Sequence, residues 1–173
     1  IKNADILGYK IKLLGFAELI DNKVYQRVHP TLINNSSYIA GIDGVLNAVI
    51  VDGHPVGQSI IQGEGAGPAA TTSALISDIS SILRGNVKFP FSLSRKERKK
   101  LNFNNIEERY FSAYLRFEVK DKPGVLSNIT NIFSKNKVSI KRLLQTPFKK
   151  TNNSSIIIIS HKSKNKSLNK ILK

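Results

Sequence analysis

The 173-residue sequence contains no cysteine and no methionine, and it has only 12 Asp and Glu against 27 Lys and Arg. Without cysteine there is no disulfide bond, no thiolate metal site and no thiol nucleophile. Position 1 is Ile rather than Met, and both ends lie within amphipathic patterns, so we expect a piece truncated at both ends. No apolar run is long enough to cross a membrane. We therefore expect a cytoplasmic protein with no metal site and no membrane partner.

The positive charge is concentrated in the second half. Residues 86–173 hold 21 of the 27 Lys and Arg but only 5 of the 12 Asp and Glu, and one tract, RKERKK, runs from Arg95 to Lys100. Lys, Asn and Ile are abundant throughout, which favours a solvated basic surface over a nucleic-acid site. A nucleic-acid binder remains an alternative, and steeply salt-dependent DNA binding would support it.

Hydrophobic spacing organises the first half. A helix running into a strand is expected over residues 4–20, and a strand follows near 24–32, where Pro30 indicates a sheet edge. A hairpin is predicted around Asp52-Gly53, the dipeptide that suits a tight turn. After a glycine-rich segment, apolar residues at helical spacing predict a helix that ends at Gly85, and these are Leu75, Ile76, Ile79, Ile82 and Leu83.

The second half has a β-α-β-β-α pattern. Periodicity fails from residue 86 to about 112, which predicts a linker. Beyond it come a strand at AYLRFEVK, a helix with Leu126, Ile129, Ile132 and Phe133 on one face, and strands at VSIKRLLQ and SSIIIISH. The last of these is continuously apolar, as in a buried central strand. The pattern indicates a ferredoxin-like α+β architecture.

The segment GEGAGPAATT, residues 63–72, resembles a phosphate-binding loop but lacks the required residues. A P-loop needs Gly-Lys-Ser/Thr, and the dinucleotide motif needs glycine where Pro68 stands. Two interpretations remain. The glycines let backbone approach a ligand beside a helix N-terminus, or they form a tight strand-to-helix turn.

Several motifs in order resemble bacterial homoserine dehydrogenase: ILGYKIKLLG, RVHPTLI, GVLNAVIV, GEGAG and YLRFEVKDKPGVLSNI. The resemblance implies α+β domains: residues 1–85 as the distal catalytic and dimerisation region, a linker at 86–112, and a partial ACT domain at 113–173. It also implies that the glycine loop closes over the nicotinamide end of NADP or NAD, with Gly67 as the contact and Gly63 and Gly65 shaping the turn.

The family interconverts L-homoserine and L-aspartate 4-semialdehyde in threonine and methionine biosynthesis. Its cofactor-domain glycines, catalytic lysine and substrate-binding acids are expected upstream of Ile1, so no catalytic residue is assigned here and this piece alone is expected to be inactive. Neither Lys10 nor Lys12 is assigned as the catalytic lysine. Surface positions are expected for Asp5, Glu18 and Asp21, and a structural hydrogen-bonding role for His29.

The segment DKPGVLSNI resembles the ligand-binding turn of ACT domains, which implies an amino-acid effector held by Asp121, Gly124, Val125 and Leu126. Threonine is the usual effector in this pathway. Asp121 either accepts from an ammonium group or only caps the helix. The resemblance further implies a homodimer or homotetramer. The alternative function is a stand-alone amino-acid-binding regulatory module, with 1–85 as a dimerisation platform.

Overall fold

The computed structural model describes residues 2–86, 93–149 and 151–172. The helices in these ranges are α1 (Lys2–Ile6), α2 (Pro68–Leu83), α3 (Val125–Lys135) and α4 (Asn165–Ile171). The strands are β1 (Tyr9–Ile20), β2 (Lys23–Asn34), β3 (Leu46–Gly53), β4 (Gly57–Glu64), β5 (Asn102–Phe103), β6 (Tyr110–Phe111), β7 (Tyr114–Lys120), β8 (Ile140–Pro147), β9 (Asn153–Ser160) and β10 (Ser163–Lys164). Two compact units result, one of Ile1–Leu14 with His29–Lys100 and one of Gly15–Val28 with Leu101–Lys173.

The first unit has a small core and two extended elements. Its buried apolar side chains come from α1, the neighbouring ends of β1 and β2, and a short 3-10 helix at Tyr38–Gly41, and they are Ala4, Leu7, Tyr9, Ile33 and Ala40. The Asn35 backbone N–H donates to the Gly8 carbonyl at 3.1 Å, which ties the end of β2 to the α1–β1 turn.

The β3–β4 hairpin forms as predicted, but its turn does not lie where expected. Asp52 pairs with Gln58 and Gly53 with Gly57, so both predicted turn residues belong to the strand ladder. The connection is formed instead by His54 to Val56, with a cis His54–Pro55 bond and a positive φ of 79° at Gly57. Proline has no N–H to give the ladder, which excludes it from a strand interior and moves the turn towards it.

Helix α2 follows the hairpin after three residues. It ends as predicted, since Gly85 adopts a φ of 72° directly after the Arg84 C-cap. The apolar face also forms as predicted, with Leu75, Ile76, Ile79, Ile82 and Leu83 at helical spacing. These five side chains are between 55% and 82% exposed within the chain.

The second unit is built on a three-stranded antiparallel sheet in the order β7-β9-β8. Strand β9 is central, and its residues from Ser154 to Ser160 are buried, as the continuous apolar run predicted. Helices α3 and α4 complete the predicted β-α-β-β-α order. The α+β, ferredoxin-like arrangement is therefore confirmed.

One face of this sheet carries the hydrophobic core. The buried residues are Leu115, Phe133, Val138, Ile156, Ile158, Leu168 and Ile171. From α3, Leu126 and Ile129 pack against this cluster beside Phe133, whereas Ile132 is 44% exposed. The predicted apolar face of α3 is thus correct at three of its four positions.

The tip of the β1–β2 hairpin also belongs to the second unit. Asp21 and Asn22 form its turn with φ of 49° and 58°, values typical of the two-residue type I′ turn. Tyr25 is buried there, and the Arg109 guanidinium lies 4.4 Å from its ring centroid while pairing with the Glu18 carboxylate. Glu18 lies at the surface as expected, but with a partner the sequence did not reveal.

Part of the predicted linker has structure. Residues 101–112 form β5, a 3-10 helix at Ile106–Glu108 and β6, and β5 pairs parallel with β2. The basic tract from Arg95 to Lys100 is exposed. Residues 87–92 of the predicted linker lie outside the described residues, and the domain limits at 85 and 112 stay predictions.

Candidate functional site

The glycine loop connects β4 to α2. Strand β4 ends at Glu64 and α2 begins at Pro68, so residues 65–67 make the whole connection. The Gly65 N–H donates to the Val45 carbonyl at 2.9 Å, which extends the hairpin pairing by one step into the loop. The chain then turns directly into the helix, and this loop joins antiparallel strands to α2 rather than forming part of a parallel β-α-β unit.

Each predicted glycine occupies a different environment. Gly67, the N-cap of α2, has φ 120° and ψ 156°, a region that essentially only glycine adopts. Gly65 has no such conformation, but a Cβ there would lie 1.6 Å from Asn47 Nδ2. At Gly63 no described atom lies within 4 Å of an added Cβ. The backbone conformation therefore requires glycine at 67, a Cβ at 65 would displace the Asn47 amide, and neither effect applies at 63.

The start of α2 favours a polar or partly negative group. Pro68 lies in the first turn of α2, and within the described residues no side chain caps this end of the helix. The first N–H groups of a helix lack intrahelical acceptors and carry a partial positive charge. The Thr71 N–H donates to the carbonyl of the N-cap Gly67 at 3.1 Å, which is the first i to i−4 bond of the helix. Because the glycines beside this helix end carry no side chains, a polar group has room to lie against the backbone of the loop.

The predicted effector residues line a pocket of ≈ 340 Å³ between the end of β7, the start of α3 and the adjoining strands. Gly124 is the N-cap of α3 in the left-handed region, with φ 88°. Val125 and Leu126 begin the helix, and both are half-buried. All four predicted residues, Asp121, Gly124, Val125 and Leu126, thus come together at one pocket.

Asp121 does not cap α3, so that interpretation of the sequence is wrong. Gly124 is the N-cap, and α3 has no side-chain cap among the residues described. Asp121 lies three residues earlier, where its own N–H donates to the Asn152 carbonyl at 2.9 Å. Its carboxylate accepts from Gln145 Nε2 at 3.4 Å and otherwise lines the pocket. The carboxylate is therefore placed to receive a ligand donor.

Gln145 and Ser154 belong to the same pocket and were not predicted. Gln145 Nε2 lies 3.4 Å from Asp121 Oδ1 and 3.5 Å from Ser154 Oγ, so one amide links strands β8 and β9 to the turn. In the sequence the only signals for this pair are a polar residue late in one strand and two serines that begin an apolar run. The pocket therefore offers a carboxylate, an amide and a hydroxyl, a set suited to a zwitterionic amino acid.

Other polar residues considered in the sequence have structural partners. Lys10 and Lys12 both contact Asp43, and the hydrogen bond from Lys12, followed by that from Lys10, lowers the pKa of the Asp43 carboxyl. His29 Nδ1 lies 2.9 Å from the Pro30 carbonyl and 3.0 Å from Thr31 Oγ1. These contacts agree with the structural hydrogen-bonding role expected of His29.

Within residues 2–86, 93–149 and 151–172, no three His, Cys, Asp or Glu side chains come together as metal ligands would. None of the helices in the same ranges has the length and apolar character needed to span a bilayer.

Two family models match the chain. The homoserine dehydrogenase family matches residues 1–80, and the ACT domain family matches residues 113–173. Among curated relatives, the homoserine dehydrogenase of Helicobacter pylori is 37% identical over 166 residues, 96% of this chain and 39% of its own length. The enzyme of Neisseria gonorrhoeae is 36% identical over 93% of this chain and 38% of its own length.

Solved structures give the same relationship. The homoserine dehydrogenase of Thiobacillus denitrificans superposes with a TM-score of 0.83 at 33% identity, over 99% of this chain and 40% of that one. A Staphylococcus aureus homoserine dehydrogenase gives 0.61 at 28% identity. The chain spans about two fifths of the length of these relatives. It belongs to the homoserine dehydrogenase family, and residues 113–173 belong to the ACT domain family.

Proposed function

We propose that the protein containing this chain is an NAD(P)-dependent homoserine dehydrogenase. It interconverts L-homoserine and L-aspartate 4-semialdehyde in the route to threonine and methionine. The observation that carries the proposal is the agreement of relatives at 36–37% identity over nearly the whole chain, each of them a homoserine dehydrogenase. The order of the two family matches, catalytic region before ACT domain, supports it.

The glycine loop would contact the nicotinamide end of the cofactor, which supplies or accepts the hydride. Gly67 presents backbone without a side chain at the start of α2, and an added Cβ there meets no described atom within 4 Å. The loop can thus lie against a flat ring and exclude water from one side of it. With no lysine in residues 63–72, the chain offers no reason to place the cofactor phosphates at this loop.

The pocket at the start of α3 would bind the amino-acid effector. Asp121 would accept from the ligand ammonium group, and the first N–H groups of α3 would meet its carboxylate. Gln145 and Ser154 would contact the side chain, and a hydroxyl-bearing ligand such as threonine matches their hydrogen-bonding groups. We further propose a cytoplasmic homodimer or homotetramer.

The activity is tested by measuring NADPH oxidation with aspartate 4-semialdehyde. Purified complete protein should turn over, and residues 1–173 alone should not, because the resemblance places the cofactor domain and the catalytic lysine outside this chain. Turnover by the 173-residue chain would contradict the assignment of chemistry to the rest of the protein. A complete protein that binds amino acids but reduces nothing would instead establish the stand-alone regulatory module.

A further inference from the structure

Asn47 and two of the loop glycines share one face of the β3–β4 hairpin. Asn47 is directly opposite Gly63 in the antiparallel register. Gly65 lies two residues further, and its bond to Val45 continues the ladder. Since alternate residues of a strand face the same side, Gly63, Gly65 and Asn47 all face one way. Asn47 therefore has a glycine both opposite and diagonal to it.

The Asn47 amide lies over the diagonal glycine. A Cβ built on Gly65 would come within 1.6 Å of Asn47 Nδ2 and 2.6 Å of its Cγ. A Cβ built on Gly63 would meet no atom of the described residues within 4 Å. Diagonal pairs are within reach of longer side chains on one sheet face. The amide thus occupies the volume that a side chain at position 65 would need.

This contact accounts for glycine at position 65. Backbone conformation does not, because Gly65 is absent from the positive-φ glycines, which include Gly67. An alanine could adopt the backbone of residue 65, but its Cβ would displace the Asn47 amide from its present position. The two residues therefore act as a pair, in which the small residue accommodates the large one.

We infer that Asn47 is a positioning residue that fixes the path of the glycine loop from β4 into α2. Gly65 precedes Gly67 by two residues, so a shift at the Asn47 contact moves the point where Gly67 would meet the nicotinamide. The inference rests on the proposed function of the loop. Misplacing a cofactor contact by about 1 Å can cost up to about a hundredfold in rate.

Asn47 is suited to a test that separates positioning from folding. Its side chain is exposed, and its recorded hydrogen bond, from Nδ2 to the Val45 carbonyl, is long at 3.4 Å. Removing it takes nothing from the buried core. We therefore expect its loss to change the kinetics while the thermal unfolding midpoint stays the same.

The experiment uses the complete protein and four variants: Asn47→Ala, Gly65→Ala, the double variant Asn47→Gly with Gly65→Ala, and Gln58→Ala as a control at the other end of the same hairpin. The readouts are kcat/KM for NADPH, KM for aspartate 4-semialdehyde, and NADPH binding by fluorescence. We expect Asn47→Ala to lower kcat/KM for NADPH by about tenfold and Gly65→Ala by more. KM for the semialdehyde should stay constant, and Gln58→Ala should match the wild type.

The double variant gives the sharpest comparison. If the Asn47 contact is what excludes alanine at 65, the double variant should be at least about threefold better than Gly65→Ala, a non-additivity expected of residues in contact. A double variant no better than Gly65→Ala, or an Asn47→Ala protein with wild-type kinetics, overturns the inference. Should Gly65→Ala fail to fold, the Asn47→Ala kinetics decide alone. Failure of the proposed function is distinct, because the wild-type protein would then show no turnover.

Discussion

At the scale of residues, the glycine loop contains one glycine that its backbone conformation requires and one that neither conformation nor space requires. Gly67 has a backbone conformation that costs other residues about 1–3 kcal/mol. Gly63 lies in the β4 ladder, in a conformation open to any residue and with space for a methyl group. The sequence shows only three alternating glycines and cannot distinguish these cases.

This difference yields a matched pair of substitutions. Gly67→Ala should lower the free energy of unfolding by about 1–3 kcal/mol because alanine is strained at φ 120°. Gly63→Ala should be neutral or stabilising by up to about 1 kcal/mol, since it restricts the unfolded chain without strain. Urea denaturation of both variants measures this. Equal losses at the two positions would contradict the assigned cause.

The residues of the effector pocket show how far sequence reasoning reaches. The turn from Asp121 to Leu126 is contiguous, so a local motif was sufficient to predict it. Gln145 and Ser154 come from two other strands and join the pocket only through the register of β8 with β9. That register depends on long-range pairing, which is not visible in any short segment.

At the scale of elements, predictions succeeded where one strong pattern dominated. The prediction of β9 as a buried strand was correct because four consecutive isoleucines suit a strand that is covered on both faces. The predicted position of the β3–β4 turn was wrong because two turn signals, Asp52-Gly53 and His54-Pro55, stand side by side in the sequence. The turn forms at the second, since proline has no N–H to give to the ladder. Within the predicted linker, β5 and β6 are two-residue strands, too short for periodicity to reveal.

Helix α4 is attached to the segment before β7 by a charge cluster. Glu108 contacts Lys164 at 2.7 Å and Lys166 at 2.6 Å. The Lys164 hydrogen bond, followed by that of Lys166, lowers the pKa of the Glu108 carboxyl from 4.5 to about 2. All three side chains are partly exposed, so salt screens the cluster.

This cluster predicts a specific pH dependence. Because the folded pKa of Glu108 lies below its unfolded value, its stabilising contribution is complete above about pH 4.5 and is lost as the pH falls towards 2. The protection factors of the α4 amides, which are corrected for the intrinsic pH dependence of hydrogen exchange, should therefore fall as the pH is lowered through this window. Glu108→Gln should remove that part of the dependence, whereas Glu107→Gln, the same change on the neighbouring exposed residue, should leave it. The same profile in wild type and Glu108→Gln would contradict the assignment.

At the scale of the whole molecule, the charge asymmetry and the two family matches divide the chain at similar places. The catalytic family matches 1–80, the ACT family matches 113–173, and the basic excess lies beyond residue 86. The domain division predicted from the sequence rests on several motifs in order in each half, and its limits at 85 and 112 stay predictions. The sequence could not reveal that residues 15–28 cluster with the second half, since that depends on tertiary contacts.

We propose that the glycine loop and the pocket at the start of α3 serve one enzyme, the first at the cofactor and the second at an amino-acid effector. The most direct measurement is the initial rate of semialdehyde reduction by the complete protein as threonine is added, for the wild type and for Asp121→Ala. We predict that threonine lowers the wild-type rate and that Asp121→Ala raises the half-inhibitory concentration by about tenfold or more, with an unchanged rate in the absence of threonine. A wild-type rate that does not respond to threonine, or an identical response in Asp121→Ala, would contradict the account.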